Sequence, residues 1–155
     1  MNPQGFKVPV SVLVVVHTPE LQVLLIERVR PAGQWQSITG SLEPGESPLH
    51  AAVREVEEET GLRYPASAFR DWHHSNRFRI RGPWRPMYAP DVTHNTEHVF
   101  SLCIPQPLEV MLAPGEHTAQ QWLPWRQAAE TAFSWSNRDA ILRLPEFSPQ
   151  ICRAG

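Results

Sequence analysis

Glu55, Glu58 and Glu59 are spaced three and four residues apart, so on a helix their carboxyls project to one side. Arg54 and Glu57 extend the same charged face, and Glu46 lies just before it. Like charges at this spacing destabilise a helix by about a few tenths of a kcal/mol per pair. They also fall in the C-terminal half of the segment, where the macrodipole disfavours anions. A sequence that clusters carboxylates there usually gains something from them. One reading is a solvated acidic face. The other is a divalent cation, because several hard oxygen ligands suit Mg²⁺ or Mn²⁺, ions that keep positions open for water and phosphate oxygens.

Spacing decides between the two. Gly40 is followed by five residues, then Glu46, then seven residues, then Arg54-Glu55-Val56-Glu57-Glu58-Glu59-Thr60-Gly61-Leu62. This run, 40–62, resembles a complete Nudix box, with every fixed position filled. At about one in fifteen per fixed residue, seven such positions coincide by chance about once in 10⁸ windows. The resemblance implies a loop–helix–loop that presents glutamates to Mg²⁺, with Mn²⁺ as a substitute, and hydrolyses a diphosphate linked to another moiety. Polyphosphate repels an attacking water until metals neutralise its oxygens, which is why such a site needs carboxylates. It makes Glu55 and Glu59 metal ligands and Glu58 either a further ligand or the base that takes the water's proton. Arg54 orients the glutamates. Glu46 either holds the loop or binds metal through water.

Other segments narrow the branch of the family. Lys7–Val16, Trp35–Ser41, Tyr88–Glu97 and Ser134–Ile141 are similar to the folate-pathway Nudix enzymes, which cut a pterin triphosphate to the monophosphate and pyrophosphate. This resemblance implies that Lys7, Arg28, Thr39, Phe78, Arg79, Ile80, Arg81 and Ser134 contact substrate and that Glu116 is a further metal ligand. Each has a plainer reading beside it. Lys7 is also a solvated lysine near a terminus, Arg28 a loop arginine, Phe78 a core residue, and Ser134 a cap for the last helix. Arg79 and Arg81 alternate with Phe78 and Ile80, so the two sets face opposite ways on a strand. Trp35 and Trp135 lie in matched segments and are candidates for the ring site. Trp72, Trp84, Trp122 and Trp125 read as core or subunit contacts. His73, His74, His94 and His98 lack a zinc-ligand pattern and read as polar surface.

These groups need a scaffold. Val8–Val16 is dense in β-branched residues and predicts a buried strand, with Leu21–Glu27 as its hairpin partner. Trp35–Thr39 predicts a short extended segment. The box helix has Ser47 as N-cap, Pro48 at its first position, Gly61 just past its end, and an apolar stripe of Leu49, Ala52, Val53 and Val56. Beyond it the pattern predicts strands Phe69–His74 and Phe78–Arg81, joined as a hairpin through Ser75-Asn76, then strands Val99–Ile104 and Gln120–Leu123. Helices are predicted from Trp125 to Phe133 and from Asn137, capped by Ser136, to Leu144, stopped by Pro145. The order implies an α+β fold, a mixed β-sheet sandwiched between α-helices.

The 155 residues, 41% hydrophobic and 19% charged, suit one domain over 1–155. A net charge of −2 argues against a nucleic-acid partner. The longest apolar run, Val12–Val16, is far too short for a membrane span. Cys103 and Cys152 set no disulfide framework or zinc site, and with no signal-like opening the expectation is a cytoplasmic protein. The expected partner is a small-molecule pterin or nucleoside triphosphate, and the chain a monomer or homodimer. Two rival functions stand beside the pterin reading. One is a hydrolase of dNTPs or oxidised dGTP, since guanine shares the aminopyrimidinone edge. The other is a silent module that senses a nucleotide, although such modules tend to lose the glutamates that this chain keeps.

Overall fold

The computed structural model describes residues 4–147. Among these, the elements run β1 (Val10–His17), β2 (Gln22–Arg28), β3 (Trp35–Gln36), β4 (Ile38–Ser41), α1 (Pro48–Thr60), β5 (Phe69–Arg79), β6 (His94–Cys103), β7 (His117–Pro124), α2 (Trp125–Thr131) and α3 (Trp135–Phe147). One mixed sheet contains all the strands, in the order β3-β2-β1-β6-β5, with β4 paired to β1 and β7 to β2. β1 and β6 run parallel, and the other pairings are antiparallel.

Strand β1 is apolar on both sides because both its faces are covered. Val12, Val14 and Val16 pack with Ala51, Ala52 and Val56 of α1. Leu13 and Val15 pack with Ala128 and Ala129 of α2 and Ala140, Ile141 and Leu144 of α3. The sheet is thus sandwiched between α1 and the α2–α3 pair, the predicted α+β layering. Among the described residues no helix is long and apolar enough to cross a membrane.

The structure corrects three sequence expectations. Phe69–Arg79 is one strand, not a hairpin through Ser75-Asn76, because it pairs along its length with β6. The irregularity is absorbed between Asp71 and Ser75, where His73 has φ +51° and its N–H donates to the Asp71 carboxylate at 2.8 Å. Strand β6 begins at His94, well before the predicted Val99, since its polar first half lines a cleft instead of the core.

Helix α3 begins at Trp135 and continues past Pro145. The Ser134 hydroxyl, not Ser136, accepts the Asn137 N–H at 3.2 Å. The missing proline N–H falls in the last turn, and the helix end is held elsewhere. Phe147 stacks on Trp72 at 4.1 Å, and its carbonyl accepts from Arg70 Nη1 at 2.8 Å. Cys103 is buried at the end of β6, and Cys152 lies outside the described residues.

Candidate active site

Helix α1 is set as its sequence prescribes. Ser47 Oγ accepts the His50 N–H at 3.2 Å, and Gly61, at φ +75°, returns its N–H to the Glu57 carbonyl at 2.8 Å. Arg54 is the hub of the acidic face. Its Nε and Nη2 grip the two Glu46 carboxylate oxygens at 2.8 Å each, and Nη1 reaches Glu55 at 2.8 Å and Glu58 at 3.2 Å. Nη2 also donates to the Ser41 carbonyl at 3.1 Å. Glu46 in turn accepts the Glu43 N–H at 3.0 Å, so in this arrangement it ties the box loop to the helix. The guanidinium beside it holds the Glu46 carboxyl below its usual range.

Glu55 lies against the backbone of Gly40 on β4, so closely that a Cβ there would overlap its carboxyl carbon. Burial pushes Glu55 up to about 7 despite the opposing pull of Arg54. Glu59 is only 5% exposed, and burial raises its carboxyl well above the usual range, with the nearby Glu55 and Glu116 adding to the shift. The Thr39 backbone N–H donates to this carboxyl, while Glu59 Oε2 is buried without a hydrogen-bond partner among the described residues.

Close to Glu59 lie Glu116, just before β7, and His117, the first residue of that strand. One ligand atom of each of the three lies within 4.8 Å of the others. The β2–β7 pairing places them there. His117 stands opposite Arg28, and the Val29 N–H bonds the Glu116 carbonyl at 3.0 Å. His117 is buried, its Nδ1 has no partner among the described residues, and burial lowers its pKa. An orphaned buried carboxylate oxygen, a second carboxylate and an unprotonated imidazole fit a divalent cation, and no apolar packing explains their convergence.

These groups form one end of a cleft of about 1020 Å³. Lys7, Arg28, Thr39, Phe78, Arg79, Ile80, Arg81 and Ser134 also line it, together with Glu55, Glu59 and Glu116. Lys7 is held by its backbone N–H on the Met87 carbonyl at 2.8 Å, and the Arg28 guanidinium lies 5.9 Å from the centre of the Trp84 ring. Thr39 Oγ1 accepts from Gln36 at 3.3 Å. Phe78 is half-buried and Ile80 buried, whereas Arg79 and Arg81 are exposed, following the strand alternation. Glu58 is the exception: its side chain is 56% exposed, held to Arg54 and off the cleft wall.

Sequence reasoning missed several cleft residues. Trp84 lines the cleft although it reads as a core or subunit contact; of the two tryptophans expected at the ring site, Trp135 does line it and Trp35 packs in the α2–α3 core instead. His117 carries no motif, and its only signal is adjacency to Glu116. Asn95 and Glu97 form part of the wall, and their signal was polar residues at alternate positions leading into an apolar strand.

The fold and this acidic constellation define a class. The NUDIX domain model matches residues 7–144, and the chain belongs to that family. It is similar to dihydroneopterin triphosphate diphosphatase of Escherichia coli strain K12, 40% identical over 144 residues that span 91% of this chain and 95% of the relative. A protein of the same name from Haemophilus influenzae is 37% identical over 134 residues, 84% of each chain. The solved structure of the E. coli dihydroneopterin triphosphate pyrophosphohydrolase superposes with a TM-score of 0.83 at 40% identity, covering 89% of this chain and 95% of that one.

Proposed function

We propose that this chain, as a single Nudix domain, hydrolyses dihydroneopterin triphosphate to dihydroneopterin monophosphate and pyrophosphate with Mg²⁺ as its cation. The observation that carries this reading is the end-to-end 40% identity to an enzyme of that name. It is supported by a single cleft that joins the acidic group to a wall of aromatic and polar side chains.

In this reading Glu55, Glu59 and Glu116 would hold the cation, with Glu58 as a further ligand or as the base, and His117 beside them. A divalent ion bound there would neutralise phosphate oxygens and acidify water. The protein supplies the rest. Arg54 fixes the carboxylates so that little reorganisation is needed when the polyphosphate arrives. Lys7 and Arg28 face its charge, and a guanidinium already seated against Trp84 loses less freedom on binding than a free one. Thr39 and Ser134 offer polar contacts, and Phe78 and Ile80 an apolar wall for a flat ring. Water adds at phosphorus, the bond between the first and second phosphates breaks, and pyrophosphate leaves.

³¹P NMR of the reaction tests this proposal. Pyrophosphate and the monophosphate should appear with Mg²⁺ and neither with chelator. Successive release of inorganic phosphate would contradict it.

A further inference from the structure

The β6 side of the cleft wall carries two buried acceptors that nothing in the described fold satisfies. Glu97 and Asn95 are 7% and 4% exposed, two residues apart on β6, and so on one face of the sheet. Ser136 and Asn76 donate to the Glu97 carboxyl, yet Oε1 has no partner. Asn95 spends its amide N–H on Ser11 Oγ at 2.8 Å, which leaves Oδ1 bare. Leaving such groups unpaired is costly unless a ligand completes them.

We propose that Glu97, with Asn95 beside it, is the specificity-determining pair that reads the aminopyrimidinone edge of the substrate ring. This rests on the pterin reading and names how that ring is chosen. The edge presents a ring N–H next to an exocyclic amine, a row of donors. A carboxylate accepts from both, and the Asn95 carbonyl oxygen takes the remaining amine hydrogen. An adenine edge sets an acceptor beside its amine, and a carboxylate repels that acceptor.

The surroundings suit the assignment. Phe78 stands opposite Asn95 in the β5–β6 register and lines the same cleft, giving the ring an apolar wall. Glu97 is in register with Ser11 on β1, and Ser11 with Ser41 on β4, next to the Gly40 that seats Glu55. The acceptor row and the acidic group thus line different parts of one cleft. That arrangement suits a ligand with a ring at one end and polyphosphate at the other.

The test titrates neopterin, a pterin without phosphates, into the wild type, Glu97→Gln and Asn95→Ala with chelator present, using ligand fluorescence. KM and kcat for dihydroneopterin triphosphate are measured alongside. Glu97→Gln should weaken neopterin about 10- to 100-fold and put its loss on KM more than on kcat. Asn95→Ala should weaken it about 3- to 10-fold. In the wild type, dGTP should compete about 10-fold better than dITP, which lacks only the exocyclic amine, and Glu97→Gln should erase that lead.

Unchanged neopterin affinity in a folded Glu97→Gln overturns the proposal. If that variant does not fold, equal competition by dGTP and dITP against wild type overturns it instead. A wild type that discriminates dGTP from dITP but releases no pyrophosphate from the pterin triphosphate would remove the substrate reading and leave the Glu97 assignment standing.

Discussion

The backbone of Gly40 is the seat of the Glu55 carboxyl: a single added carbon at position 40 would occupy the space that Glu55 fills. The first glycine of the box is therefore a steric requirement of a glutamate well down the helix. Gly40→Ala should leave the fold intact by circular dichroism and lower kcat/KM by about 100-fold or more, because a shift of about 1 Å in a positioned group can cost that much. Near-wild-type kcat/KM would show that Glu55 works from another position.

Glu59 is buried, with one oxygen unpaired, beside Glu116 and His117. Replacing it by the isosteric amide keeps the volume and removes the charge. Glu59→Gln should cut turnover by orders of magnitude and weaken binding of Mn²⁺, read by its paramagnetic relaxation, while the thermal melt without metal holds or rises. Retained turnover would sink the assignment of Glu59 as a ligand.

Arg54 contacts three carboxylates and a carbonyl through a planar fork that lysine cannot reproduce. Arg54→Lys should cost about 1–3 kcal/mol of stability in urea denaturation, since Glu46 loses a bidentate partner. In a double-mutant cycle the effects of Arg54→Lys and Glu46→Gln should add to less than their sum, and full additivity would mean the pair is not coupled.

Burial raises Glu55 from 4.5 to about 7. Between those values the folded chain holds a proton that the unfolded chain has released. The stability this contributes is present below about pH 4.5 and lost as pH rises through about 7. His17, whose pKa burial lowers, acts in the opposite sense, losing stability as pH falls below 6.5. Comparing variants separates the two. Without metal, Glu55→Gln should exceed the wild type by on the order of 2 kcal/mol at pH 8 and match it near pH 4.5. A gap of the same size at both pH values would contradict burial of a titrating Glu55 as the cause.

What the sequence makes legible follows from which interactions are local. Helix α1 is readable because Ser47, Pro48 and Gly61 are caps that act within a few residues, and the box spacing sits on that helix. Strand β5 is not, because polar His73 to Asn76 mimic a turn and only pairing with β6 extends them. Helix α3 outruns Pro145 because of Trp72 and Arg70, far away in the chain. Of the residues the resemblance assigns outright to metal or substrate, all line the cleft except Glu58. His117 escaped because its pairing opposite Arg28 brings it to the cleft, and no local pattern records register; Trp84 sits in a short helical turn, Gly82–Met87, whose sequence does not say which way its ring faces.

Selection of a pterin triphosphate by the cleft is tested most directly by kcat/KM at about 5 mM Mg²⁺, a concentration on the order of that needed to saturate a weak Mg²⁺ site. Dihydroneopterin triphosphate is compared with the four dNTPs and 8-oxo-dGTP in one assay of pyrophosphate release. The expected result is a lead for the pterin of about 10-fold or more, with dGTP first among the unmodified nucleotides. A lead for any nucleotide would contradict pterin selection, while leaving the Nudix fold and the acidic site in place.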